Sequence, residues 1–340
     1  MRYFHSALLL VFGLSLFKPA IGQIDPTELI KGAQSDINYL AEGYLEPFGN
    51  SLATGLNNNW YQTAKTHKTG RFDLMFYTSL VFVPSADQTF TINNSELQQL
   101  ELTSGISASA PTVFGEDSPG PGLRFKDDPN QNEAFRTPAG IGFGAMPLLM
   151  AQANIGVFKN TDLTIRYIPE SGVPLLDGGQ IGLFGVGVKH DVLQWIPGDK
   201  VMPIDLSVFL GYTSLTFTQA LDDGSGNPGQ ELVLNSRGFT GRAIVSKKFL
   251  FFTPYLGVGF NGGGTDIQIN GTYEYEQNSP AGPIISSITD PVNITANDAG
   301  GFVANVGFQL KFLWVMAFTV DYTLATYSAL NAGLGLSLDF

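Results

Sequence analysis

From Arg71 to Phe340 the chain keeps one rule: apolar and polar residues alternate in long runs. The stretch "RFDLMFYTSLVFVP" puts Phe72, Leu74, Phe76, Leu80 and Phe82 on one face, with Arg71, Asp73 and Ser79 opposite. In "GFVANVGFQLKF", Phe302, Val306, Leu310 and Phe312 oppose Asn305, Gln309 and Lys311. "WVMAFTVDYTLATY" sets Trp314, Met316, Phe318, Val320, Tyr322 and Leu324 against Thr319, Asp321 and Thr323. A strand of this kind needs an apolar medium on one side and a polar one on the other. Soluble sandwiches alternate too, but their strands usually run about 5–6 residues, half the length repeated here. Aromatic residues near strand ends (Phe312, Trp314, Tyr327) suggest an interfacial girdle.

The pattern predicts ten strands, near 71–83, 146–158, 161–169, 180–195, 203–219, 231–246, 249–262, 301–312, 314–326 and 330–340. Their connections alternate between short and long, with 327–329 the one short link on the long side. Short turns on one side, long loops on the other and an even count describe a transmembrane antiparallel up-and-down β-barrel. Residues 265–276 with 282–289, and 87–92 with 97–103, could each add a hairpin, giving 12 or 14 strands. Their polar composition favours extensions outside the membrane. In "MPIDLSVFLGYTSLTFT" the apolar face switches from Tyr212 to Leu215 and Phe217, which predicts a bulge near Thr213-Ser214.

Residues 1–22 read as a cleaved signal peptide: Arg2, an apolar run from Ala7 to Phe17, and Ala20-Ile21-Gly22 before Gln23. Residues 23–66 then carry a helical period through Leu29, Ala33, Ile37, Leu40, Tyr44, Phe48, Leu52 and Leu56. Asp25 is the expected N-cap, with Pro26 at the first helical position and Glu28 three residues on. Gly43 and Pro47 predict a break, and Asn57-Asn58-Asn59 an end. The segment is read as a plug inside the barrel or a periplasmic element beneath it, with the barrel itself over 67–340. A helix is about 10–12 Å across, so a ten-stranded barrel would struggle to enclose it.

The mature chain carries 16 basic and 30 acidic residues, net −14, which argues against nucleic acid as a partner. With 0 Cys no disulfide framework exists. The expected inward face collects Asp73, Arg166, Lys189, Asp205, Arg242, Lys311 and Asp321. These form either a charged constriction in a pore or a salt-bridged filling of a narrow lumen. His190 is the one histidine placed where a nucleophile's base could sit, but its neighbour Asp191 points to the other sheet face. The glycine clusters 140–147, 185–188 and 257–264 lack the phosphate-loop pattern and read as curvature or close packing. No cofactor or metal motif is present. The acidic loop 114–135 lacks the spacing of a calcium loop.

The signal, the helical segment, the long alternating strands and the ending "GLGLSLDF" together resemble a Gram-negative outer-membrane β-barrel. Leu334, Leu336, Leu338 and Phe340 match the C-terminal signal that barrel-assembly machinery reads in that class. "MAQANIGVFKNTDLTIRYIP" and "GTYEYE" resemble an uncharacterised family of such barrels, which brings no activity with it. A helical segment ahead of a barrel is also similar to the fatty acid and hydrocarbon channels, although their Asn-Pro-Ala hatch motif is absent. The resemblance implies an outer-membrane location. It implies contact with lipid and lipopolysaccharide, and assembly with periplasmic chaperones and the barrel-assembly machinery. The functional expectation is a passive channel for small or hydrophobic solutes, plugged by the N-terminal helix. The alternative is a non-transporting structural or interaction barrel acting through its external loops. A hydrolase using His190 is the remote third reading, and no enzyme activity is expected.

Overall fold

The computed structural model describes residues 33–337 apart from 129, 173–178, 198–201, 222–223, 280–281, 298 and 314. The signal segment, the Asp25 cap, Leu29, Trp314, Leu338 and Phe340 lie outside the described residues.

Ten strands form a closed antiparallel ring. They are β1 (Phe72–Phe82), β2 (Ala145–Gly156), β3 (Thr161–Gly172), β4 (Gly179–Asp191), β5 (Asp205–Ala220), β6 (Glu231–Ser246), β7 (Phe252–Asn270), β8 (Gly301–Phe312), β9 (Met316–Leu324) and β10 (Ala329–Ser337). Each pairs with its neighbour in sequence, and β10 closes on β1 with Leu74 opposite Leu336 and Leu80 opposite Leu330. Closure pairs each strand on both sides, as a barrel in hydrocarbon must, although β2 and β3 pair only at their short-turn ends, from Ala153 opposite Ile165 to Gly156 opposite Asp162. Leu74, Phe76, Val208, Leu210, Leu334 and Leu336 point outward and are exposed. Asp73, Met75, Tyr77, Ser207 and Phe209 point inward and are buried.

The extra hairpin segments do not join the ring. Thr89–Asn93 pairs with Ser107–Pro111, Leu100–Leu102 with Gly122–Phe125, and Thr272–Ser279 with Gly282–Thr289. All stand at the long-loop end. Val292–Ala296 extends the wall there by pairing with Thr265–Ile269 of β7.

The expected bulge at Thr213-Ser214 is absent: β5 pairs in unbroken register with β4 and β6. Leu215 and Phe217 keep the inward face and are buried. Their apolar character reflects a change in what fills the barrel. Toward the long-loop end the lumen is lined by Leu148, Ile181, Leu183, Leu215, Phe217, Leu234 and Ile267, which pack with Leu52 and Leu56 of an enclosed helix. The register shift that does occur lies in β3, between Ile168 and Ser171.

That helix, α1 (Gln34–Leu56), is continuous. The break expected at Gly43 and Pro47 does not form, because packing on both sides outweighs the proline's lost hydrogen bond. Its first half sits in the cap built by the long loops. Asp36 accepts the backbone N–H groups of Gln98, Gln99 and Leu100 at 2.7–2.8 Å, and Tyr39 Oη donates to the Thr91 carbonyl at 2.9 Å. Leu40 joins a core with Ile92, Leu100, Leu123 and Phe125. Its second half enters the mouth of the ring, where Gly49 lies against Ala296 and Thr265. Enclosure is achieved over half a helix, in the part of the barrel farthest from the short turns. Tyr327, expected in an outer girdle, is buried here and donates to Asp87 at 2.7 Å.

Candidate functional site

Beyond Leu56 the chain threads the lumen. Asn57 ends the helix and Asn59, at φ 63°, turns the backbone in the left-handed region that asparagine tolerates. Residues 60–67 then run toward the short-turn end, where Gly70 and Arg71 bond to Gly156 and lead into β1. Three layers of side chains hold this segment.

In the upper layer, Arg166 of β3 is fully buried. Its guanidinium donates to the carbonyls of Leu56 at 2.8 Å and Asn58 at 2.6 Å, and to Gln152 Oε1 at 3.0 Å. The Trp60 ring lies 3.6 Å away. The cation therefore sits on the negative end of the α1 dipole and satisfies carbonyls that a helix end leaves orphaned.

In the middle layer, Trp60 and Tyr61 pack against Phe209 at ring distances of 5.3 and 5.8 Å. Gly187 and Gly211 make room for them, since a Cβ at Gly187 would stand 2.6 Å from Phe209 Cζ and 3.0 Å from the Trp60 ring. Opposite, Asp321 accepts from Tyr255 Oη and Asn331 Nδ2, both at 2.8 Å. Asn331 Oδ1 in turn accepts from Ser79 Oγ at 2.6 Å and Asn59 Nδ2 at 3.4 Å. Arg242 donates to Asn261 at 3.0 Å.

In the lower layer, His67 bridges two carboxylates, with Nε2 3.0 Å from Asp73 and Nδ1 3.0 Å from Asp162. Lys189 lies 3.1 Å from Asp162 and donates to the carbonyls of Thr63 and Lys65. Gln62 donates to Asp73 at 3.1 Å and accepts from Gln309. Burial works against a charge on His67. Hydrogen bonds with Asp162 and Asp73, together with the charges of both, outweigh it and push its pKa up to about 9.

All seven inward residues read from the sequence thus face the lumen, but they do not form one ring. Asp73, Lys189, Asp205 and Lys311 border a cavity of about 120 Å³ at the short-turn mouth. Arg166 belongs to the helix end, and Arg242 and Asp321 border a void of about 10 Å³ beside Asn57–Tyr61. Sequence reasoning missed Asp162, Gln152, Asn331 and His67. Asp162, Gln152 and Asn331 share the inward parity of the residues it found, so the signal was available. His67 precedes the strands and gave none. His190 is engaged at the short-turn rim, accepting from Trp195 Nε1 at 3.0 Å, with Thr161 Oγ1 at 2.8 Å. Leu334 and Leu336 face outward. Among the described residues no three histidine or acidic side chains are grouped to hold a metal.

A closed ring with an apolar outer band and a lumen filled by side chains, polar toward the short turns, defines an outer-membrane β-barrel. Within that class the chain belongs to a family of unknown function (DUF6588), whose model matches residues 1–338. No curated protein matches it. It is similar in fold to Ail, the attachment invasion locus protein of Yersinia pestis, at 8% identity and a TM-score of 0.25, covering 79% of this chain and 98% of that one. The translocator domain of the autotransporter NalP from Neisseria meningitidis gives 11%, 0.26, and coverage of 80% and 90%. A deltaS2 mutant of the TodX monoaromatic hydrocarbon channel gives 10%, 0.23, and coverage of 80% and 67%. Likeness at these levels concerns the fold alone.

Two outcomes follow for the threaded segment. Arg166→Met removes donors from buried carbonyls and is expected to lower stability by on the order of 2–4 kcal/mol, read as the denaturant midpoint of the folded barrel. Separately, the pKa of His67 lies above its unfolded value of ~6.5. Its stabilisation is therefore full below that pH and lost as pH rises through about 9. A stability profile should fall by up to about 3 kcal/mol across that window, and His67→Gln should flatten it.

Proposed function

We propose that this protein is an outer-membrane barrel sealed by its own N-terminal segment, which acts through the folded cap at its long-loop end. In this reading the short turns face the periplasm and the cap faces outward. The signal peptide is cleaved. Outer-leaflet lipid and lipopolysaccharide surround the wall, and periplasmic chaperones and the barrel-assembly machinery deliver it.

One observation carries the reading. Residues 57–67 fill the lumen and bond to the wall at every level, so the spaces left among the described residues are separate and small. The same chain continues into α1, which is the core of the cap. Lumen filling and cap construction are one structure, and an open path would dismantle both. The non-transporting alternative drawn from the sequence therefore gains over the passive channel. A plugged channel is the second reading, favoured by the polar cavity beneath the thread.

Purified full-length protein in planar bilayers is expected to show no steady conductance, and a variant lacking residues 33–66 to conduct. Steady conductance of the full chain would overturn the sealed reading. Opening and closing of the full chain under a solute gradient would favour the plugged channel.

A further inference from the structure

The wall is incomplete at one place. β2 and β3 pair over only four positions, from Gly156 opposite Asp162 to Ala153 opposite Ile165, although each strand has 12 residues. Toward the long-loop end the two strands diverge. The opening leads to an apolar cleft of about 510 Å³ on the outside of the barrel, walled by Phe76, Leu149, Ala151, Ile165 and Tyr167.

The seam is written into the sequence. Val157 N–H bonds to the Thr161 carbonyl at 2.7 Å, so by alternation the odd-numbered residues of β2 turn their backbone groups toward β3. Pro147 and Pro169 occupy two of the facing positions, and neither can donate to a ladder. The prolines keep the seam from zipping shut and disfavour an added peptide strand. The N–H groups of Leu149 and Ala151 on β2 then face the opening with no ladder partner among the described residues. In hydrocarbon an unsatisfied backbone group costs several kcal/mol, so these donors call for an acceptor. The cleft asks for an apolar body carrying a carbonyl oxygen. No Lys or Arg lines it, so nothing there is built to grip a phosphate headgroup. The open half of the seam faces the long-loop end, and Leu149 and Ala151 lie opposite Thr78 and Phe76 at mid-height of β1, within the outward apolar band.

We propose that the cleft between β2 and β3 binds one acyl chain of an outer-leaflet ester lipid, with its tail against Phe76, Ala151 and Ile165 and its ester carbonyl on the N–H groups of Leu149 and Ala151. The lipid completes the wall where the ladder stops. Behind it, Gln152 and Arg166 hold the threaded segment, so the bound chain also shields that contact from the bilayer.

The test uses the full chain reconstituted in phosphatidylglycerol vesicles whose acyl chains carry a photoactivatable diazirine, with cross-links mapped by mass spectrometry. Cross-links several-fold denser at residues 147–153 and 165–168 than on the lipid face of β5 (206–212) are expected. Ala151→Trp should abolish the excess, and Val208→Trp should leave it intact. Equal density around the wall in the unaltered protein would overturn the proposal, whatever the variants do. So would a seam labelled by a free diazirine fatty acid but not by the ester lipid.

Discussion

The contact on which the rest depends is Arg166 against the end of α1. A fully buried guanidinium is costly unless its donors are used, and here they meet the Leu56 and Asn58 carbonyls and Gln152. The same contact satisfies the orphaned end of a helix inside a low-dielectric space. It fixes how deep α1 enters the ring and where the thread begins. Trp60 and Tyr61 then fall opposite the glycines that admit them, and His67 reaches Asp73 and Asp162. Shifted by one helical turn, about 5.4 Å, none of these layers would meet its partners.

This arrangement explains why the barrel has two interiors. Below Arg166 the filler is extended chain, whose backbone groups demand polar neighbours: Gln152 donates to the Trp60 carbonyl, Lys189 to those of Thr63 and Lys65, and Ser246 and Asp162 accept the N–H groups of Ala64 and His67. Above it the filler is a helix, which satisfies its own backbone and presents Leu52 and Leu56. The wall there is correspondingly apolar, through Leu148, Leu215, Phe217 and Ile267. The wall's inward residues change character where the filler changes from strand-like to helical.

Much of this was legible in the sequence. Period-two alternation located all ten strands, because each crosses between lipid and lumen and carries that contrast in its own residues. Polar composition kept the extra hairpins out of the ring, and inward parity found the buried charges. What could not be read depended on partners distant in sequence. The switch at Leu215 looked like a bulge because its cause, Leu52 and Leu56, lies in another part of the chain. Pro47 looked like a helix breaker because propensity ignores tertiary packing, here that of the neighbouring Gly49 on Thr265 and Ala296. His67 gave no signal because its two carboxylates come from β1 and β3. The missing ladder between β2 and β3 left a trace in Pro147 and Pro169, but a proline in a strand does not say which neighbour is absent.

The central claim is that residues 57–67 occupy the lumen and seal it. The absence of native cysteine allows a direct measurement. Gln62→Cys and Gln309→Cys place thiols on two side chains in contact across the thread and β8. A short bis-thiol reagent applied to outer membranes should join them in the folded protein and not after denaturation. Singly modified thiols with no cross-link in the folded barrel would show that the segment lies elsewhere and would contradict the account.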